Sequence, residues 1–397
     1  MKILFLLSRF PYPLKTGDRL RAFHQMKFLS KRHEIFLFTF SEGPVPEESL
    51  DEVSRYCSNV EIFPISYLSK AVNVFRAFTK GDPLQTGYFY NAEAQKQILG
   101  MIRKHEPDHI FAQLIRTTEY VKQISDIPKT LDYVDALSLS YERKSEHTRK
   151  ILKPVFQFEC NRLKEYEIKV FDRFDNCIII AEKDREVIAH PENHRMMVLA
   201  NGVDADFFNP GLVTARVPND LPAAYELVFV GNMSFLPNVD CVTYVANEIL
   251  PLIHLKNPEV RFLIAGADPC PAVKALASDR VKVWGWMDDI RDAYRQSQLF
   301  VGPLRLGTGL QNKLMEAMSM ELPVVSSQLA KDAFVNQDEC PVLCGDSPEA
   351  CADLVLDLLA DPEKRKTLGK EGRAYVQKHY SWDAVGRILE NQLSGEI

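Results

Sequence analysis

The sequence predicts an α/β chain made of two successive doubly wound, parallel-sheet domains that face each other across a cleft. Three observations carry this expectation. Short apolar runs alternate with helix-length amphipathic stretches along the whole chain, the pattern of parallel strands covered on both faces. The pattern occurs twice, on either side of a region from Asn209 to Ala223 that is rich in Pro, Gly and polar residues and has no clear periodicity. Each half also places a glycine-bearing turn directly after its first strand, on the side where doubly wound folds bind ligands.

In the first half the strands are expected at Lys2–Leu7, Glu34–Phe40, Val60–Ile65, His109–Ala112, Lys129–Tyr133 and Asn176–Ala181. The run Lys2–Leu7 is too short for a signal-peptide core and reads as a first buried strand. Between Asp18 and Arg32, the residues Leu20, Phe23, Met26, Phe28 and Leu29 recur at roughly helical spacing. His24 falls inside that helix and reads as packing or surface. In the second half the strands fit Leu227–Gly231, Arg261–Ala265, Val281–Trp284, Leu299–Gly302 and Pro323–Ser326. The expected division is an N-terminal Rossmann-like domain over 1–200, a linker over 201–223, a C-terminal Rossmann-like domain over 224–380, and a terminal helix over 381–397 returning toward the first domain.

Composition narrows the function. The 397 residues are 46% hydrophobic and 26% charged, enough for two separate cores. A formal net charge of −6 gives no reason to expect nucleic acid as the main partner. The eight cysteines include no Cys-x-x-Cys pair, and Cys340 and Cys344 have no nearby second pair to complete a zinc site. Scattered cysteines of this kind suit a reducing, cytoplasmic compartment. No uncharged apolar run reaches membrane-spanning length. Gly-x-Gly-x-x-Gly, Gly-x4-Gly-Lys-Ser/Thr and Gly-x-Ser-x-Gly are all missing, which disfavours nicotinamide, P-loop and simple serine-hydrolase chemistry.

The most informative stretch runs from Gly307 through Met318 into Glu321-Leu322-Pro323-Val324-Val325-Ser326-Ser327. It reads as a glycine turn, a helix and a buried strand. Gly307 and Gly309 let the backbone approach an anion, and the helix start presents unpaired N–H groups to it. A cation at Lys313 opposes the helix dipole, which a bound phosphate would explain. Glu316 shares its face, so phosphates and hydroxyls of one ligand are both addressed. The alternative is an exposed ion pair at an ordinary loop-to-helix junction.

Further along, Asn201-Gly202-Val203-Asp204 with Phe207, Phe208 and Pro210, the turn Val283 to Arg291, the segment Pro303 to Ser327, and Tyr380-Ser381-Trp382 together resemble glycosyltransferase family 4, the group 1 glycosyl transferases of GT-B fold with two Rossmann-like domains. The wording from Arg305 to Lys313 and from Met233 to Asp240 is most similar to the sugar transferases of exosortase (PEP-CTERM) exopolysaccharide clusters. The resemblance implies a retaining, metal-independent transfer of a sugar from a UDP- or GDP-type donor, with no separate cofactor. It implies donor-binding roles for Gly17, Gly231, Asn232, Gly266, Trp286, Met287, Gly307, Thr308, Gly309, Leu310, Lys313 and Glu316. The family's Glu-x7-Glu pair ends here at Glu316, but its first member is replaced by Thr308. Basic residues usual after the first C-terminal-domain strand are replaced by Asn232, Met233 and Phe235. Arg305 and Lys313 are therefore expected to neutralise the diphosphate.

On the acceptor side the family's usual histidine is missing from Thr130–Ser138, where Asp132 and Asp135 stand. Asp135 is expected at a strand end, to accept a hydroxyl proton or hold the sugar, and Arg116 in the loop after His109–Ala112 is a cleft candidate. Helix capping is the alternative for either aspartate, and a salt bridge for Arg116. The pair offers too few ligands for a divalent-metal cage. Between Arg143 and Arg173, basic residues interleave with Phe156, Phe158, Leu163 and Phe171. Peripheral contact with an anionic bilayer is one reading. A helix burying an apolar stripe is favoured, because Glu159, Glu165 and Glu167 interrupt the basic face as solvated charges. The expected function is glycosyl transfer to a glycan or lipid-linked glycan in cell-surface polysaccharide synthesis. A non-catalytic nucleotide- or glycan-binding subunit and a sugar-nucleotide epimerase are the alternatives.

Overall fold

A computed structural model of the chain describes residues 1–14, 16–65, 77, 81–147, 153–212, 225–306 and 309–395. The chain divides into two compact units, the first comprising Met1–Asn201 with Val385–Ile397 and the second Gly202–Ala384.

The first unit holds a parallel sheet of β1 (Lys2–Leu7), β2 (Glu34–Ser41), β3 (Asn59–Pro64), β4 (His109–Gln113), β5 (Lys129–Asp132), β6 (Asn176–Ile179) and β7 (Met197–Val198). Their order is β3-β2-β1-β4-β5-β6-β7, so the chain reverses direction across the sheet between β1 and β4. Ile3 pairs with Ile35 on one side and His109 on the other, which makes β1 central. Its side chains from Ile3 to Leu7 are all buried because helices cover both faces. Each such side chain contributes roughly 1.5–3 kcal/mol relative to exposure.

The second unit repeats the plan with β8 (Tyr225–Val230), β9 (Phe262–Ala265), β10 (Val281–Gly285), β11 (Ser297–Gly302), β12 (Val324–Ser326) and β13 (Leu343–Cys344), ordered β10-β9-β8-β11-β12-β13. Its reversal lies between β8 and β11, paired in parallel at Leu227 and Leu299.

Of the stretch expected to be a linker, 202–212 belongs to the second unit, and 213–223 lies outside the described residues. The reason is a set of specific bonds. Arg373 donates to the carbonyls of Ala205 and Phe208, and Arg291 donates to that of Phe207 while stacking 3.9 Å over its ring. Val203 pairs with Ser381 and its N–H donates to the Tyr380 carbonyl at 2.7 Å, so two motifs far apart in sequence meet. The helix Trp382–Ser394 belongs to the first unit from Val385 onward. There Glu390 pairs with Arg32 and His33, and Gln392 donates to Asn176. Among the described residues no helix is long and apolar enough to cross a membrane.

Candidate functional site

In the second unit the expected donor residues gather at the carboxyl ends of β8 and β9 and the loop after β11. Gly266 follows β9 with φ +131°, and a Cβ there would fall 1.9 Å from the Gly231 carbonyl oxygen. Only glycine permits that approach of two strand ends. A Cβ on Gly231 would in turn meet Asn238 Nδ2 at 2.6 Å and Lys313 Cε at 3.4 Å. Gly231 thus marks where Lys313 crosses the end of β8. Asn232 shapes the turn, its Oδ1 accepting from the N–H and hydroxyl of Ser234 at 2.8 and 2.6 Å. The buried Asn238 donates to the Asn232 carbonyl at 2.9 Å, while its own Oδ1 has no partner.

Lys313 enters at the start of the helix Asn312–Ser319. Its Nζ donates to Gln311 Oε1 at 2.8 Å and lies 5.5 Å from the Phe229 ring centre. Burial lowers its pKa, against the pull of Cys241 and Glu316. Glu316 accepts a 2.8 Å hydrogen bond from the hydroxyl of Tyr294, a fully buried residue of the helix Arg291–Arg295. Burial raises the Glu316 carboxyl, with Tyr294 and Lys313 opposing. The result is a desolvated cation and a desolvated carboxyl side by side at a glycine-lined helix start. Such shifted groups cluster at binding sites.

Tyr294 was not foreseen from sequence, since it lies in a polar-looking run, Arg291-Asp292-Ala293-Tyr294-Arg295. Tyr294→Phe keeps the ring but removes the hydroxyl that holds Glu316. It is expected to destabilise the chain by ~1–3 kcal/mol, readable as a shift in urea midpoint. An unchanged midpoint would mean that Glu316 is held by other contacts.

Other expected donor residues fare differently. Arg305 forms a bidentate pair with Asp240, at 2.7 and 3.1 Å, and stacks 4.1 Å over the Tyr244 ring. Its fork is thus occupied by a carboxylate of the helix Leu236–Tyr244, a partner that the expectation of a phosphate clamp did not include. Trp286 is 70% exposed with its indole N–H toward Asp288, whereas Met287 is buried. Gly309 has φ +100° and its carbonyl accepts from Gln311, and Leu310 is partly buried beside it. Gly307 and Thr308 lie outside the described residues.

In the first unit, Gly17 begins the helix Gly17–Leu29, and a Cβ there would meet nothing, so no packing requires glycine. Asp132 is not an open acceptor-side group. It is fully buried against Arg21 at 2.6 Å, and also accepts from Gln25 at 3.0 Å and from the Val134 N–H. The same guanidinium donates to the Leu199 carbonyl and Asn201 Oδ1, tying three segments together. Neither Arg21 nor its role was foreseen, because an arginine on an apolar helix face reads as a snorkelling surface residue.

Arg116 and Asp135 each stand three residues beyond the ends of the adjacent strands β4 and β5. Each opposes the other's shift, but burial dominates both, lowering Arg116 and raising Asp135. Asp184 adds to the rise at Asp135, and Arg9 to the lowering at Arg116. Arg116 Nε donates to Gln85 Oε1 at 3.0 Å, with its guanidinium 5.2 Å over Phe89. Leu114 and Val134, which follow these two strands, have φ of 63° and 66°. Positive φ is costly for any side chain and most of all for a β-branched one, and such strain concentrates at functional sites.

Residues 224–361 match the family model "Glycosyl transferases group 1". The chain is 20% identical to an uncharacterised 44.6 kDa protein in the cps region of Klebsiella pneumoniae, over 96% of each chain. It is 25% identical to a GDP-mannose-dependent monoacylated alpha-(1-6)-phosphatidylinositol monomannoside mannosyltransferase of Corynebacterium glutamicum, over 50% of this chain and 56% of that one. Among solved structures, a glycosyltransferase from Rickettsia africae ESF-5 superposes with TM-score 0.66 at 13% identity, covering 98% of this chain and 97% of the other. Anabaena Alr3699/HepE in complex with UDP-glucose gives TM-score 0.62 at 16% identity, covering 100% of both. Two Rossmann-like parallel-sheet domains matching GT-B glycosyltransferase structures are therefore the fold of this chain.

Proposed function

We propose that this chain, whose second unit carries a group 1 glycosyl transferase domain, moves a sugar from a nucleoside diphosphate donor to a hydroxyl of a surface glycan or lipid-linked glycan, with retention of anomeric configuration. The observation that supports this most is the convergence of Gly231, Gly266, Lys313 and the Tyr294-held Glu316 at the end of β8. Lys313 and the first N–H groups of Asn312–Ser319 face the charge that develops on the leaving diphosphate. A fixed donor of this kind is worth ~3–4 kcal/mol of barrier. Glu316, acceptor-only when ionised, suits ribose or sugar hydroxyls and would repel phosphate. Arg116 and Asp135 of the first unit are assigned to the acceptor.

Metal independence is part of the proposal. Of the two aspartates near the end of β5, Asp132 is neutralised by Arg21 and is not available as a ligand. The test is a thermal-shift screen of UDP-glucose, UDP-N-acetylglucosamine and GDP-mannose, followed by mass spectrometry and proton NMR of products on a panel of octyl glycosides with and without EDTA. A ligand at a hundred times its dissociation constant adds ~2.7 kcal/mol of stability. Transfer that survives EDTA, with the donor's anomeric configuration kept in the product, is expected. A manganese or magnesium requirement would overturn the metal-free assignment, and free isomerised sugar would point to an epimerase.

A further inference from the structure

The helix Lys153–Phe171 carries Glu159 and Glu167, which are 2% and 1% exposed. This reverses the expectation that they are solvated charges on its outer face. Glutamates so buried need strong partners. Here the partners are backbone N–H groups at the starts of two other helices. Glu159 accepts from Leu84 at 3.0 Å and Gln85 at 3.1 Å, the first residues of the helix Leu84–Phe89. Glu167 accepts from Ser138 at 3.0 Å, the second residue of the helix Leu137–His147. First-turn N–H groups lack acceptors within their own helix, and a carboxylate also meets the positive end of the dipole. The local residue before the first of these helices, Pro83, makes no side-chain cap, so the cap arrives from far along the chain.

Both capped helices lead to the acceptor-side cluster. Gln85 accepts from Arg116 Nε at 3.0 Å and donates to the Tyr141 hydroxyl at 2.7 Å. Asp135 stands three residues before Ser138, just after the strained Val134. Each glutamate is therefore one hydrogen bond from backbone that places Arg116 or Asp135.

We propose that Glu159 and Glu167 are positioning residues that set the Arg116–Asp135 cluster. The inference rests on the transferase reading for what that cluster does. Burial pushes Glu167 up to about 7, against the hydrogen bonds at Ser138 and Leu137, with Asp135 adding to the rise. The groups facing it are Asp135 in the loop after β5, Tyr133 at the end of β5, and Cys160 and Lys164 on its own helix. A carboxyl raised in this way favours the closed structure while it is protonated, so opening that releases Glu167 to water becomes easier as pH rises through about 7.

The test uses the full chain as wild type, Glu159→Ala and Glu167→Ala. Hydrogen–deuterium exchange is measured at pH 6 and 8, corrected for intrinsic rates, alongside the UDP thermal shift and transfer to octyl glycosides. Protection is expected to fall about tenfold at 84–86 in Glu159→Ala and at 138–140 in Glu167→Ala at pH 6, where the cap acceptor is lost. Wild-type protection at 138–140 should fall from pH 6 to 8, because a carboxyl raised by burial stabilises the closed state only while protonated, and stay flat in Glu167→Ala. Acceptor KM should rise about tenfold while the donor KM and the UDP shift are kept. Should an Ala variant not fold, Gln85→Leu cuts the link to Arg116 with both caps left in place and should raise acceptor KM alone. Unchanged protection overturns the proposal, as does altered protection with unchanged acceptor KM. Failure of the wild type to transfer from any donor overturns the transferase reading instead, and the exchange data still decide the caps.

Discussion

Lys313→Ala is expected to weaken binding of UDP and of the intact sugar nucleotide alike, and to slow transfer at saturating donor by about a hundredfold or more, the cost of losing one preorganised donor to the leaving group. Glu316→Gln should behave differently. It spares the diphosphate contacts but loses the ionised acceptor for hydroxyls, so UDP affinity and sugar-nucleotide affinity fall through the nucleoside and sugar rather than through phosphate. Turnover at saturation measured beside affinity separates binding from chemistry. The stability of the same variants adds an independent sign. Glu316 is raised above 4.5 by burial. Its proton is therefore held more tightly folded than unfolded, which favours folding below the unfolded carboxylate range and is lost as pH rises through the folded value. At neutral pH the uncharged amide introduced by Glu316→Gln should make the apo-protein more stable while recognition is impaired. A residue kept against stability in this way is kept for binding. A variant with parental stability, affinity and turnover would make the helix pair an ordinary surface feature.

Asp132→Asn should produce the largest loss of stability. Asp132 and Arg21 are both fully buried at 2.6 Å, so removing the charge leaves an uncompensated guanidinium inside the first unit. Breaking a buried pair from one side costs ~3–5 kcal/mol. Arg21 also holds Leu199 and Asn201, so the last residues of the first unit before Gly202 should lose exchange protection together with β5. The apolar double variant Arg21→Met with Asp132→Leu is expected to be more stable than either single charge deletion, because neither charge is then stranded. Denaturation midpoints for the three variants decide this. A single variant within ~1 kcal/mol of wild type would show that water or another group satisfies the pair.

These two predictions also mark what the sequence could and could not convey. Period and apolar run length locate β1 through β6 and β8 through β12 to within about two residues, because their apolar runs need no partner to be recognised, even at the partly buried edge strands β3 and β10. The two-residue strands β7 and β13 carry no such signal. The glycine turns and the Lys313–Glu316 pair were legible because their chemistry is local: a turn, a helix start and an i,i+3 spacing. Tyr294, Arg21, Glu159 and Glu167 were not, since each owes its role to a partner on another element. Arg305 shows the converse. A fork aimed at an anion was anticipated, and Asp240, 65 residues earlier, is the anion it holds. For Asp132 a place in the strand was foreseen and the buried counter-ion was not.

The most direct measurement is diffraction from crystals of the full chain grown with UDP or UDP-glucose at millimolar concentration. The phosphates are expected within hydrogen-bond distance of Lys313 Nζ and the first N–H groups of Asn312–Ser319, with a ribose or sugar hydroxyl on Glu316 and the backbone of Gly231 alongside. Nucleotide density elsewhere in the second unit, or a diphosphate contacted only by Arg305 after release from Asp240, would contradict the assignment of the donor site.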